Sequence, residues 1–139
     1  MHGKSQKPRT LASGAPLLAV LDLGTNNCRL LIATPAAGRG GEPGGFRVVD
    51  SFSRIVRLGE GVSRTGLLSE AAIDRTIAAL KVCAERIAKH QVRQVRAIAT
   101  QAARLAANTD ILIRRARKEA DLDLQVISAE EEAELAAEG

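Results

Sequence analysis

Apolar residues fall into two short runs near the start of the chain, Leu17 to Leu23 and Cys28 to Ala33, separated by the polar link Gly24-Thr25-Asn26-Asn27. Such runs around a four-residue link predict two buried strands joined by a tight hairpin. Ala36 to Gly45, with five glycines and a proline, predicts a loop. Phe46 to Val56 is rich in β-branched residues and predicts a third strand, so three locally connected strands should form an antiparallel meander. From Ser69 the period changes. Ile73, Ile77, Leu80, Ala84 and Ile87 recur at three- and four-residue steps, the inward stripe of a helix that Ser69 can cap and whose positive end suits Glu70. Arg75, Lys81, Glu85, Arg86 and Lys89 fall mainly on the other face, where solvation accounts for them. Val95 to Ala99 reads as a short buried strand that follows a helix, which implies a crossover and a parallel neighbour. A further helix is expected from Asp110 to about Ala120, capped by Asn108 or Thr109, with Ile111, Leu112 and Ala116 inward. Its Arg114, Arg115, Arg117 and Lys118 suit solvent and the negative end of the helix dipole. Leu124 to Ile127 is the last strand, and Glu130, Glu131, Glu132 and Glu134 open a final helix that runs to Gly139.

A chain of 139 residues has room for one domain with a real core. Phe46 and Phe52 are its only aromatics, so that core must be aliphatic, and no ring platform for single-stranded nucleic acid is available. The net charge of +4 favours anionic partners without choosing among them. Part of the excess lies in Lys4, Lys7 and Arg9, within residues 1–16, a polar tail expected to be disordered. The later arginines are scattered, and nucleic acid is not an expected partner. Cys28 and Cys83 sit in separate apolar patterns without metal-ligand spacing, and the only histidines are His2 and His90. Buried free thiols in a reducing compartment are preferred to a disulfide or a zinc site. No apolar run reaches the roughly 20 residues of a membrane helix, so a cytoplasmic protein without membrane attachment is expected.

Candidate chemistry concentrates at the hairpin tip. Asp22 ends the first strand with a carboxylate, Gly24 lacks a Cβ that would hold a ligand away, and Thr25, Asn26 and Asn27 set short polar groups beside backbone N–H groups. The same residues also make an ordinary turn, and both readings stand on local features. Arg57-Leu58-Gly59-Glu60-Gly61 turns sharply enough to aim Arg57 and Glu60 into a cleft, or to be a plain surface turn. Arg104 follows the Val95–Ala99 strand, where ligands of such sheets gather, and its guanidinium could grip phosphate oxygens; a surface arginine is the alternative.

Asp-Leu-Gly-Thr-Asn-Asn followed by Arg29 and Leu30 resembles the first phosphate motif of the exopolyphosphatase and guanosine pentaphosphate phosphatase family, within the actin, Hsp70 and sugar kinase superfamily. Three further stretches are similar in order: Arg57-Leu58-Gly59-Glu60-Gly61, Ala99-Thr100 with Arg104 and Asn108, and Ile127-Ser128 before the glutamates. The resemblance covers about Leu17 to Gly139. It implies an α/β fold, a ribonuclease H-like (actin-like ATPase) domain with a mixed five-stranded sheet flanked by helices. It further implies phosphate binding at Gly24, Thr25, Asn26, Asn27 and Arg104, Mg²⁺ held by Asp22 directly or through water, and a catalytic base at Glu132, with Glu131 the choice if the register slips by one. The spacing of 28 between Arg104 and Glu132 agrees with the family.

The implied activity is hydrolysis of terminal phosphoanhydride bonds in polyphosphate or guanosine pentaphosphate. A second phosphate motif, on a second domain in the family, has no counterpart in this sequence. Residues 17–128 are therefore expected to be the first domain and residues 129–139 the start of a helix leading to an absent second one, so that the chain alone would be inactive and its uncovered face could self-associate. A kinase or ATPase of the same superfamily, or a nucleotide- or polyphosphate-binding module without turnover, would share the hairpin.

Overall fold

The structure is a computed structural model that describes residues 16–36 and 44–138, without the side chain of Glu138. The expected basic tail and most of the glycine-rich loop lie outside the described residues. The described residues form five strands and five helices: β1 (Leu18–Leu23), β2 (Asn27–Pro35), β3 (Phe46–Ile55), α1 (Val62–Thr65), α2 (Glu70–Lys89), β4 (Gln94–Ala99), α3 (Gln101–Leu105), α4 (Thr109–Ala120), β5 (Leu124–Val126) and α5 (Ala129–Glu138). The strands form one mixed sheet in the order β3-β2-β1-β4-β5. β1, β2 and β3 are antiparallel neighbours, while β1–β4 and β4–β5 are parallel. This is an α/β actin-like domain, and β1 is its central strand.

Alternation decides which side chains meet the helices. Ala19, Leu21 and Leu23 of β1 and Cys28, Leu30 and Ile32 of β2 are fully buried, and they share one core with Ile73, Ile77, Leu80 and Cys83 of α2 and Leu112 and Ala116 of α4. The intervening Asp22, Arg29 and Leu31 are exposed. A register shift between Ile32 and Ala33 breaks the alternation, so Ile32, Ala33 and Thr34 are buried in succession. The Thr34 hydroxyl is satisfied there by donating to the Pro16 carbonyl at 3.0 Å.

The core is aliphatic, as the composition requires. Phe46 is exposed, and Phe52 lies half-buried at the sheet edge, with the guanidinium carbons of Arg54 and Arg86 each 5.1 Å from its ring centre. Cys28 and Cys83 are free and buried. They are neighbours in space, with sulfurs 3.9 Å apart across the β2–α2 contact. Their shared hydrogen bond and burial push the Cys28 thiol well above its ordinary range. Among the described residues no helix is long and apolar enough to cross a membrane.

Several local expectations are corrected. Ser69 caps α2 as expected, accepting the Ala72 N–H at 3.0 Å, but neither Asn108 nor Thr109 places its side chain as a cap on α4. Asn108 instead pairs with the backbone of Leu68, accepting its N–H at 2.8 Å and donating to its carbonyl at 3.0 Å. Thr109 donates to the Ala103 carbonyl at 2.6 Å. Asn108 thus ties α4 to a segment 40 residues away, which a local propensity cannot foresee, while Thr109 ties it back to the end of α3. The short α1 was not expected. Its four residues are bracketed by Gly61 and Gly66 in left-handed conformations, too short a stretch to show a helical period.

Candidate functional site

The carboxyl ends of β1, β4 and β5 lie side by side, and each runs into a segment that carries polar chemistry. Thr100 leaves β4 by donating its N–H to the Leu23 carbonyl at 3.0 Å, and Ile127 leaves β5 by donating to the Ala99 carbonyl at 3.1 Å. Three chain segments distant in sequence are thereby delivered to one edge of the sheet.

The Gly24–Asn27 link closes the hairpin with a Gly24 N–H to Asn27 carbonyl bond of 2.9 Å. A Cβ built on Gly24 would meet only the Asn27 carbonyl oxygen, at 3.8 Å, so packing does not demand glycine there and the space stays open to a ligand. Among the described residues, the N–H groups of Thr25 and Asn26 have no acceptor. Asp22, the four link residues and Arg29 line a hollow of about 300 Å³. Free N–H groups around such a hollow form an anion cradle.

Arg29 was missed as a site residue in reading the sequence. The hairpin register pairs it directly with Asp22. Counting outward from the link gives that pairing, so the signal was present in the alternation. Partial burial and the nearby Glu132 carboxylate lift the Asp22 carboxyl above its ordinary range, and the Arg29 guanidinium partly offsets this.

Beyond β4, Thr25 donates its hydroxyl to the Gln101 side-chain oxygen at 3.4 Å, which sets α3 beside the link. Arg104, on α3, donates to the Ile127 carbonyl at 2.8 Å and to Glu132 at 3.0 Å. Two of its five donors are thus engaged and the others are left for an anion. Glu131 is tied up otherwise. It closes a capping box with Ser128, accepting the Ser128 N–H and giving its own N–H to the Ser128 hydroxyl, both at 3.0 Å. Glu132, one residue on, faces Arg104 and stands close enough to Asp22 to act on its charge.

The Arg57–Gly61 segment reaches the site with its backbone rather than its side chains. The N–H groups of Val56 and Arg57 donate to the Asn26 carbonyl at 2.7 and 3.0 Å, and that of Gly59 donates to the Thr25 carbonyl at 2.9 Å. The Glu60 carboxylate turns to Arg75 of α2, 3.0 Å away, and Arg57 is exposed, so neither is aimed into a cleft. Gly59 is the position where a side chain cannot enter: a Cβ would lie 2.5 Å from the Thr25 methyl carbon. Gly59→Ala is expected to displace Thr25 and to cost about 1–3 kcal/mol by overpacking. Thermal unfolding together with the amide shifts of residues 24–27 checks this, and an unmoved link at full stability would contradict it.

A larger hollow, about 710 Å³, lies elsewhere. It is lined by Ile87, Val92, Val95, Ala97 and Leu122, at the opening end of β4, and holds none of the candidate residues. Among the described residues no group of three or more metal-ligating side chains occurs.

Known proteins resemble this chain in sequence and in fold. Residues 36–139 match the Ppx/GppA phosphatase family. Exopolyphosphatase 2 of Mycobacterium tuberculosis is 40% identical over 127 residues, which cover 88% of this chain and 39% of that protein. The crystal structure of the Aquifex aeolicus Ppx/GppA family member superposes with a TM-score of 0.75 at 34% identity, over 84% of this chain and 37% of that one. An exopolyphosphatase from Cytophaga hutchinsonii gives the same TM-score and identity, over 86% of this chain and 36% of that one. The chain therefore spans about two-fifths of the length of the relatives it matches. Sequence and fold give the same answer across most of its residues: this chain belongs to the Ppx/GppA phosphatase family.

Proposed function

We propose that the chain forms one wall of a phosphoanhydride-hydrolysing site, which acts on the terminal phosphate of polyphosphate or guanosine pentaphosphate. The observation that carries this reading is the meeting of Asp22, Arg104 and Glu132 beside the open link, with Glu132 held by Arg104 and acting on Asp22. The end phosphate would sit against the free N–H groups of Thr25 and Asn26, close to Gly24, with Asn27 and the Arg29 and Arg104 guanidiniums adding donors.

A carboxylate at Asp22 whose ionisation is opposed by burial and by the neighbouring Glu132 fits a divalent cation, and Mg²⁺ typically takes one or two carboxylates together with substrate phosphates and water. Asp22 would hold it, directly or through water, with Glu132 nearby. When bound, the ion would offset charge on the phosphoryl oxygens. Glu132 would orient the attacking water and take its proton, while Arg104 fixes the carboxylate's direction. The remaining ligands would come from a second domain, which faces the first in the family.

Phosphate release from long-chain polyphosphate with Mg²⁺ tests the reading. Release is expected from this chain joined to a second domain and little or none from the chain alone. A joined protein that transfers phosphate to an acceptor instead of water, or acts on neither polyphosphate nor guanosine pentaphosphate, would refute it.

A further inference from the structure

The phosphate link is gripped from behind, and the grip ends on a side chain outside the hollow. Arg75, on the second turn of α2, donates from Nε to the Val56 carbonyl at 2.9 Å and from Nη2 to the Arg57 carbonyl at 3.3 Å, while Nη2 also meets Glu60 at 3.0 Å. Val56 and Arg57 are the residues whose N–H groups hold the Asn26 carbonyl. Each is therefore held by its carbonyl on the helix side and by its N–H on the link side. Arg57 keeps a left-handed backbone, φ 49°, that a non-glycine residue adopts only when its surroundings impose it.

The consequence for the link follows from peptide planarity. With the Thr25 and Asn26 carbonyls turned to this clasp, the N–H groups of Asn26 and Asn27 in the same peptide planes point the opposite way, and that of Asn26 is one of the two free donors of the cradle. An anion cradle works only when such N–H groups are fixed in direction before the ligand arrives. Arg75 suits the task better than a lysine would, because its planar fork serves two carbonyls and a carboxylate together.

We infer that Arg75 is a positioning residue for phosphate binding: it fixes the Val56–Gly59 clasp, and the clasp fixes the Thr25 and Asn26 peptides. The inference rests on the phosphate reading above for its function, and on the hydrogen bonds alone for its mechanics.

The test uses the full chain with inorganic tripolyphosphate and Mg²⁺ as the probe, followed through backbone amide signals. Arg75→Ala is expected to speed hydrogen exchange at the Val56, Arg57 and Gly59 amides about tenfold or more. It is also expected to weaken tripolyphosphate binding at residues 24–27 by roughly tenfold. Arg75→Lys, which keeps the charge but serves fewer acceptors, should fall between the two, and it decides the matter should Arg75→Ala fail to fold. Arg115→Ala is the comparison. It breaks ion pairs of 2.7 and 2.6 Å to Asp74, the neighbour of Arg75 on α2, and to Glu119, but removes no hydrogen bond of the clasp, so it should leave exchange and affinity at the link unchanged. Unchanged exchange and affinity in Arg75→Ala, or equal loosening of the link in Arg115→Ala, would overturn the inference. If the wild-type link ignores tripolyphosphate, the phosphate reading falls and Arg75 loses its functional role, while the exchange rates still show whether it sets the clasp.

Discussion

Glu132→Gln is expected to slow phosphate release from polyphosphate by about 10²- to 10⁴-fold, the usual contribution of a general base. The assay is turnover by a protein that joins this chain to a second domain. The substitution preserves shape: the amide oxygen can still accept from Arg104, which approaches Glu132 at 3.0 Å, so polyphosphate should bind with nearly unchanged affinity. What disappears is the carboxylate that would take the proton of water. Glu131→Gln is the informative neighbour. Its oxygen accepts the Ser128 N–H in the capping box, a role that an amide oxygen can also fill, so activity should be nearly that of the parent. Full turnover by Glu132→Gln, or equal losses in both variants, would remove Glu132 as the base.

Leu80→Ala should have the largest effect on folding. Leu80 is fully buried on α2 and belongs to the single core that the helices share with β1 and β2. Truncating a buried leucine costs about 2–5 kcal/mol, from lost transfer energy and the cavity left behind. A domain of this size has about 5–15 kcal/mol in all, so a large fraction of the stability would be lost. Denaturant unfolding with an unchanged slope and a lower midpoint is the expected result. A midpoint equal to the parent's would mean that the α2–sheet contact is not where the stability resides. Leu31→Ala, on the exposed face of β2, should cost far less.

The fold was legible because its signals are periodic. Apolar runs on either side of a polar link placed β1 and β2, three- and four-residue steps placed α2, and a strand after a long helix implied a parallel neighbour for β4, which is β1. What escaped was set by contacts between elements rather than within them. Asn108 and Thr109 looked like caps because their side chains accept hydrogen bonds locally in most settings, yet here Leu68 and Ala103 compete for them and win. At the candidate site, the residues that converge were found through short motifs, but how they are held was not. Nothing in Arg57-Leu58-Gly59-Glu60-Gly61 says that its amides, not its charges, face the link. Arg75 looked like one more solvated cation on the outer face of α2, since hydrophobic patterning is blind to a guanidinium that reaches over to backbone carbonyls.

The central place of β1 also has a cost in time. Its parallel neighbour closes onto it through Thr100 and Leu23, 77 positions apart. At ordinary rates of synthesis, about 5–20 residues per second, the ribosome needs roughly 4–15 s to make that stretch. During that interval β1 can pair with β2 on one side while its other edge, destined to lie inside the sheet, has no strand beside it. The strand that leads into the phosphate link is thus open, in the newborn chain, to pairing with the wrong partner.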